Sequence, residues 1–315
     1  YDEGILLDLK MLVDEKRMPP IDRWAIQNDL FSLCVSGDEQ VRNYLDFSDA
    51  YFDEDSYLAS VNVAHNLASL YFRAFDEPFI EEIRSYAVNY FRKILFNLGW
   101  EPKKSDKHTD ALLRTFTIAV LGKMNDDSVT DEAIKKYKKF LKSPGSLSPD
   151  LIETICSIAA WNGNSKTFAE LKKLYTNAKT MEEKLRFLGA MCGFQDKKLL
   201  VKTLDFSQTS EVRSQNMQLP IMKIAGNPYG DKVLWPWLKK NWKKINKKVG
   251  HGNPLFNRIV ASIAGVADDS MEKEIKLFFK NNPTPGTERT QSQTLERIRI
   301  NSKFLRKMRK EFKNG

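Results

Sequence analysis

Residues 230–249 read GDKVLWPWLKKNWKKINKKV, and this stretch decides the fold class. Five apolar residues recur at helical spacing and share one face: Trp235, Leu238, Trp242, Ile245 and Val249. Six lysines share the opposite face: Lys239, Lys240, Lys243, Lys244, Lys247 and Lys248. The pattern predicts an amphipathic helix with a strongly cationic stripe. Pro236 is expected in its first turn, where a missing N–H breaks no hydrogen bond.

Start and stop signals divide the rest of the chain into further helices. Thr180 and Glu183 form a predicted capping box, and two long helices are expected at 54–75 and 77–98. In the second half, the helix starts predicted near residues 148, 180, 210, 253 and 285 recur every roughly 30 to 43 residues, a period typical of HEAT or armadillo repeats. The last start opens a long basic helix of about 285–311.

These patterns predict an all-α fold, a HEAT/armadillo-like superhelix of stacked antiparallel helix pairs. Strand patterns and hairpin turns are scarce, and no low-complexity linker interrupts the chain. We therefore expect one α-helical domain over 1–315. Its first part, about 1–145, is irregular, and the more regular helix pairs occupy about 146–315.

The composition is that of an ordinary soluble protein, with 42% hydrophobic and 29% charged residues. Apolar runs stay below the roughly 18 residues that a spanning helix needs. The three cysteines are far apart and have apolar neighbours, which favours free thiols in a reducing compartment. We expect a cytoplasmic protein without a membrane partner. The start at Tyr1 rather than at Met favours a piece of a longer protein or a processed product.

The net charge of +9 is unevenly distributed along the chain. Residues 1–160 hold 19 Lys and Arg against 27 Asp and Glu, whereas residues 161–315 hold 31 against 14. The second half is therefore expected to attract anionic partners in a salt-dependent way.

Motifs for catalysis are missing from the sequence. His65, His108 and His251 are isolated, so the paired histidines of a zinc peptidase are not present. No phosphate-binding glycine loop and no nucleophile elbow occurs either. The carboxylates around residues 46–55 are interpreted as a solvated face and a helix cap. We predict that the chain holds no catalytic residue, cofactor or metal ligand.

Several segments, in order along the chain, resemble the C-terminal region of the gluzincin aminopeptidases. Residues 281–290 (NNPTPGTERT) and 295–301 (LERIRIN) resemble the C-terminal signature of that family. Further matching segments are 98–100 (LGW) with His108, 112–114 (LLR), 211–215 (EVRSQ), 225–230 (AGNPYG) with Trp235, Asn241 and Trp242, and 256–260 (FNRIV). The branch of puromycin-sensitive, endoplasmic-reticulum and tricorn-interacting aminopeptidases is the most similar. Phe304 departs from the pattern, since the family usually has tryptophan there.

The resemblance implies an α-superhelical domain that closes over a separate thermolysin-like domain and encloses the peptide. It also implies that the zinc ion and its ligands belong to that other domain, which supplies the hydrolysis of N-terminal residues. The implied partners of this chain are its own catalytic domain and a peptide substrate, with an acidic peptide favoured by the charge of the second half. Nucleic acid is not expected as a partner.

Arginines are the candidate substrate-binding residues, because a peptide ends in a carboxylate. Arg258 is the first candidate, since it lies in a family-like motif on a helix of the basic half. Arg213, Arg297 and Arg299 are further candidates, and for each the alternative is a structural salt bridge between adjacent repeats. A different class of function also stays open, namely a stand-alone helical scaffold that binds proteins or nucleic acid.

Overall fold

The computed structural model describes residues 3–249 and 253–313. Over these residues the chain forms sixteen α-helices, short 3₁₀ turns and no β-strand, which confirms the predicted all-α class. The helices are α1 (Glu3–Asp14), α2 (Pro20–Ser36), α3 (Val41–Ser48), α4 (Tyr57–Arg73), α5 (Ile80–Leu98), α6 (His108–Lys123), α7 (Asp127–Lys142), α8 (Ile152–Trp161), α9 (Ser165–Asn177), α10 (Met181–Ala190), α11 (Lys197–Ser207), α12 (Gln218–Ala225), α13 (Asp231–Val249), α14 (Pro254–Ser262), α15 (Glu272–Asn281) and α16 (Glu288–Glu311).

The helices fall into two compact units. Unit 1 comprises residues 1–131 and 303–315, and unit 2 comprises residues 132–302. The last helix, α16, thus contributes its first part to unit 2 and its end to unit 1. The prediction of one domain over 1–315 stays a prediction.

Unit 1 has polar contacts inside its helical core. The Arg23 guanidinium donates to Glu54 at 2.8 and 2.6 Å and to Asp55 at 2.8 Å, and the Glu54 side chain is only 1% exposed. The predicted solvated face around residues 46–55 is therefore wrong for Glu54, because this carboxylate neutralises a buried arginine. Arg23 also fixes the N-terminal end of α2 by donating to the Met18 carbonyl at 2.7 Å.

The LGW and LLR segments meet in unit 1. Arg114 is 1% exposed and donates to the Gly99 carbonyl at 2.9 Å and to the Asp106 carboxylate at 2.5 Å. These bonds close the 99–107 loop between α5 and α6. Burying a guanidinium is costly unless its N–H groups are satisfied. Nε and Nη2 of Arg114 are bonded, whereas the buried Nη1 has no hydrogen-bond partner among the described residues. The bonds that are made give this arginine a structural role.

Unit 2 contains helix pairs that stack into two layers. We call α8, α10, α12, α14 and residues 288–302 of α16 the even layer; α8, α10, α12 and α14 pack against one another in series. The link from α14 to α16 includes the bond from Thr290 to Asn257 at 2.7 Å. The five predicted helix starts correspond to this layer, because each repeat contributes one even and one odd helix.

The odd layer consists of α9, α11, α13 and α15. Tyr175 of α9 packs edge-on against Phe206 of α11 at 5.2 Å between ring centroids. Trp237 of α13 donates to the Asp205 carboxylate of α11 at 2.8 Å. Trp242 of α13 contacts aromatic rings of α15 and α14, namely Phe278 at 5.2 Å, Phe279 at 5.8 Å and Phe256 at 5.0 Å.

Two local predictions differ from the structure. Pro236 is the sixth residue of α13 rather than a first-turn residue, because α13 begins at Asp231 with Asn227 capping the preceding 3₁₀ turn. The helix expected from about 210 begins only at Gln218. Residues 209–213 form turns instead, and Pro220 is acceptable in the first turn of the shorter helix. The capping box of Thr180 and Glu183 is confirmed.

Candidate substrate-facing surface

Arg258 is exposed on α14 and points away from the odd layer. Asn253 caps this helix by accepting from the Leu255 N–H at 3.0 Å, with Pro254 at its first position. Phe256 packs against Trp242 of the odd layer, and two residues along a helix differ by about 200° in direction. The Arg258 side chain consequently lies on the free side of the even layer, where no described carboxylate forms an ion pair with it.

Arg297 and Arg299 lie on opposite sides of α16. The Arg299 guanidinium donates to both oxygens of Glu272 on α15, at 2.7 and 2.5 Å. Arg297 is two residues away, so it points away from α15 and is exposed on the even layer. Arg258 and Arg297 therefore share one layer on neighbouring helices, whereas Arg299 forms the inter-helix salt bridge that the sequence left as an alternative.

Arg213 lies away from this pair, in the connection between α11 and α12. It is exposed and precedes the 3₁₀ turn Ser214–Asn216. Burial and the charge of Glu211 raise the pKa of Tyr175 on α9, and the charge of Arg213 opposes them. Tyr175 in turn donates to the Glu211 carbonyl at 2.9 Å, so Arg213 lies near an odd-layer helix.

Sequence reasoning missed a charged pair on the even layer. Lys223 of α12 forms a salt bridge with Glu153 of α8, and the two side chains meet over Gly189 of α10. A Cβ at Gly189 would lie 2.5 Å from a Glu153 carboxylate oxygen, so a glycine leaves room for the pair. The partners are 70 residues apart, and no local pattern marks such a contact.

Most of the residues that resemble the family pattern form hydrogen bonds that fix turns and helix contacts. The Asn227 amide donates to the carbonyls of Cys192 and Phe194, both at 2.9 Å. Thr284 and Thr287 bond each other at 2.8 Å before α16. Asn301 donates to the Ala264 carbonyl at 3.3 Å. The segments that identify the fold therefore differ from the exposed arginines that could meet a ligand.

Residues 3–249 and 253–313 contain no group of three His, Cys, Asp or Glu side chains that could hold a metal ion. His65 packs against Phe116, with ring centroids 4.2 Å apart, and desolvation lowers its pKa. His251 lies outside the described residues. In the same part of the chain, each helix is too short or too polar to cross a bilayer.

Comparison with known proteins finds one family and a set of related enzymes. Residues 1–300 match the model of the ERAP1-like C-terminal domain. Aminopeptidase M1-A of rice is 25% identical over 100% of this chain, and aminopeptidase M1 of Arabidopsis thaliana is 25% identical over 99%. The protein named "Aminopeptidase 2, mitochondrial" of Saccharomyces cerevisiae is 25% identical over 91%. The chain spans about a third of the length of these relatives, 36%, 36% and 31% respectively.

Proposed function

Because the chain belongs to the ERAP1-like C-terminal domain family, we propose that it is the non-catalytic part of an aminopeptidase that releases N-terminal residues from peptides. The related aminopeptidases, each about three times as long, support this proposal. The described residues contain no candidate metal cluster, so zinc and its ligands would belong to the remaining part of the enzyme. That part is also the first partner of this chain.

In this proposal the even layer faces the peptide and positions it. Positioning matters because a small displacement of the scissile bond removes much of the proximity advantage. Movement of the whole part against the catalytic domain would admit substrate and release product. The puromycin-sensitive, endoplasmic-reticulum and tricorn-interacting branch remains our prediction for the parent enzyme.

Arg258 is the residue that we propose to bind the C-terminal carboxylate of the peptide. It is an exposed cation on the free side of the even layer, and the described chain offers it no competing carboxylate. An arginine fork can bind both oxygens of a peptide C-terminal carboxylate. Arg297 on the neighbouring helix would assist. Arg213 and Arg299 rank lower, because Arg213 lies near α9 and Arg299 is already bound by Glu272.

The test is Arg258→Ala in the full-length enzyme. Loss of a charge-assisted hydrogen bond should lower kcat/KM for peptides by about tenfold to a hundredfold. Hydrolysis of a minimal amino-acid amide should not change, because that substrate does not reach α14. With a peptide whose C-terminus is amidated, the natural enzyme and the Arg258→Ala variant should have the same kcat/KM. We extend the proposal to acidic peptides as the preferred class, because the exposed Arg258 and Arg297 would attract acidic side chains, and Arg258→Ala should reduce that preference.

The matched control is Lys240→Ala, because Lys240 is an exposed cation of the odd layer. It should leave the hydrolysis of both the peptide and the amide unchanged. Equal losses on peptide and amide in Arg258→Ala would contradict the assignment, since they would indicate a disturbed fold. Arg258→Lys should recover part of the peptide turnover, because it keeps the charge but not the fork.

We also propose a reducing compartment, the cytoplasm, as the location of the parent. Cys34 and Cys156 are buried thiols that form no disulfide. Burial raises the pKa of the Cys34 thiol to about 12, which keeps it protonated and unreactive.

A further inference from the structure

The positive charge of unit 2 is concentrated on one helix layer. The four odd-layer helices contain sixteen lysines, no arginine and five acidic residues. The even-layer helices contain seven basic and five acidic residues. The even layer, which is proposed to face the peptide, is thus almost neutral. The proposed enclosure of a peptide gives no role to the lysines of the odd layer.

Four of these lysines are engaged within the molecule. Lys239 pairs with Glu274, Lys276 with Glu272, and Lys172 with Glu211 at 3.6 Å. Lys248 donates to the Gln208 and Thr209 carbonyls, both at 3.1 Å, at the end of α11. Such lysines stabilise helix ends and helix contacts, so they are not available to a partner.

The other twelve lysines are exposed, and no described carboxylate pairs with them. We call them the lysine surface: Lys166, Lys173, Lys197, Lys198, Lys202, Lys232, Lys240, Lys243, Lys244, Lys247, Lys273 and Lys280. Every odd helix contributes at least two. With helices packed 8–10 Å apart, the surface is roughly 30 Å broad, and α13 extends roughly as far along its axis. The charge is therefore spread in two dimensions.

The residue types indicate the partner chemistry. Lysine is a hydrated point charge on a flexible stem, whereas the arginine fork recognises fixed carboxylates and phosphates. A nucleic-acid site commonly adds arginines or stacking aromatic rings, but the odd helices have no arginine, and each of their aromatic side chains is buried or half-buried. Leu277, 58% exposed, lies on α15 between Lys273 and Lys280. Lysines over a broad face with an exposed apolar residue suit the surface of an anionic bilayer.

We propose that the lysine surface docks the protein on membranes rich in anionic phospholipid. Charge complementarity supplies the attraction, and Leu277 enters the headgroup region. The even layer stays free for peptide. This revises the expectation of no membrane partner, because the lysine surface would bind the headgroups of the bilayer.

The test measures co-flotation of the full-length enzyme with vesicles of phosphatidylcholine alone or with phosphatidylserine added. We expect binding only to the anionic vesicles and a strong decrease as salt rises. The variant Lys240→Glu, Lys243→Glu, Lys247→Glu on α13 should lower the partition coefficient at least roughly a hundredfold, given the contribution of each lysine near such a surface.

The matched control is Lys303→Glu, Lys310→Glu, Lys313→Glu, with two of the lysines on α16 and the third just after it. These lysines are also exposed, and the triple change alters the net charge equally. The control should bind anionic vesicles almost as well as the natural protein. An equal loss in both variants would overturn the proposal, because it would show dependence on total charge alone.

Two other results would overturn it. One is equal binding to neutral and anionic vesicles. The other is binding of duplex DNA or RNA that depends on the α13 lysines without any vesicle binding, which would assign the surface to nucleic acid. Hydrolysis of a soluble amino-acid amide is measured in the same variants and should not change. A loss of this hydrolysis would count against the proposed aminopeptidase function, whereas the docking surface is judged by vesicle binding alone.

Discussion

Gly230, at the end of the AGNPYG segment, is a position where space rather than backbone angle requires glycine. Its N–H donates to the Asn227 carbonyl at 2.7 Å in the turn before α13. A Cβ at this residue would clash with the backbone carbonyl of Ile224, which belongs to α12 and cannot rotate away. We expect Gly230→Ala to lower the free energy of unfolding by about 2 kcal/mol or more, measured by urea denaturation with tryptophan fluorescence.

Gly145 provides the control, since a Cβ there has no heavy atom of another residue within 4 Å. Gly145→Ala should be neutral or stabilising by up to about 1 kcal/mol, because alanine reduces the freedom of the unfolded chain. Similar destabilisation by both substitutions would refute the steric explanation for Gly230.

The contact between α15 and α16 shows how one carboxylate joins two helices. Glu272 accepts from Arg299 and also pairs with Lys276 at 2.5 Å, and these bonds lower its pKa to about 2. In the unfolded chain the pKa of the Glu272 carboxyl is higher, about 4.3. The stabilisation is therefore complete above that value and disappears as the pH falls towards 2.

We expect Glu272→Gln to destabilise the protein at pH 7 and the difference from the natural protein to shrink by pH 3, in urea titrations at both pH values. Arg299→Ala should remove most of the effect of Glu272→Gln at pH 7, since the two residues act as a pair. A destabilisation independent of pH would mean that glutamine disturbs packing and not an ion pair.

At the scale of helices, the sequence predicts those helix boundaries that depend on neighbouring residues. The capping residues Asn253 and Thr180 mark helix starts in the printed sequence and in the structure. The position of Pro236 differs from the prediction because α13 begins at Asp231, directly after the 3₁₀ turn that Asn227 caps and before the start that the proline suggests.

The candidate site was harder to predict than the helices. Arg258 and Arg297 were identified as basic residues near family-like segments, but a sequence cannot show which side of a stack they face. The Glu153–Lys223 pair and the separation of charge between two layers depend on contacts across many residues. The resemblance supplied the function class, which composition and spacing alone left open.

At the scale of the whole molecule, unit 1 depends on the last segment of the chain. Phe304 and Met308 are buried, Phe312 stacks on Phe79 at 4.6 Å, and the Glu311 carboxylate accepts from the Val41 and Arg42 N–H groups at 3.0 and 2.8 Å. Removing three large apolar side chains from a core costs about 2–5 kcal/mol each, comparable with the stability of an entire domain.

We therefore expect a chain ending at Ser302 to lose hydrogen-exchange protection throughout residues 3–131 while residues 132–302 keep theirs, as measured by mass spectrometry. Phe304→Ala should be a milder version, costing about 3–5 kcal/mol in unit 1. Uniform loss across the chain would show that the two units unfold as one.

The same arrangement has a consequence for biosynthesis. Residues 1–131 leave the ribosome well before residues 303–315, with the whole of unit 2 made in between. At roughly 5–20 residues per second, the delay is about ten to thirty seconds. During that time Phe31 and Phe79 lack their aromatic partners Phe304 and Phe312. Residues 1–131 can therefore complete their core only after residues 303–313 have been made, and we expect a chaperone that binds exposed aromatic side chains to hold them in the interval.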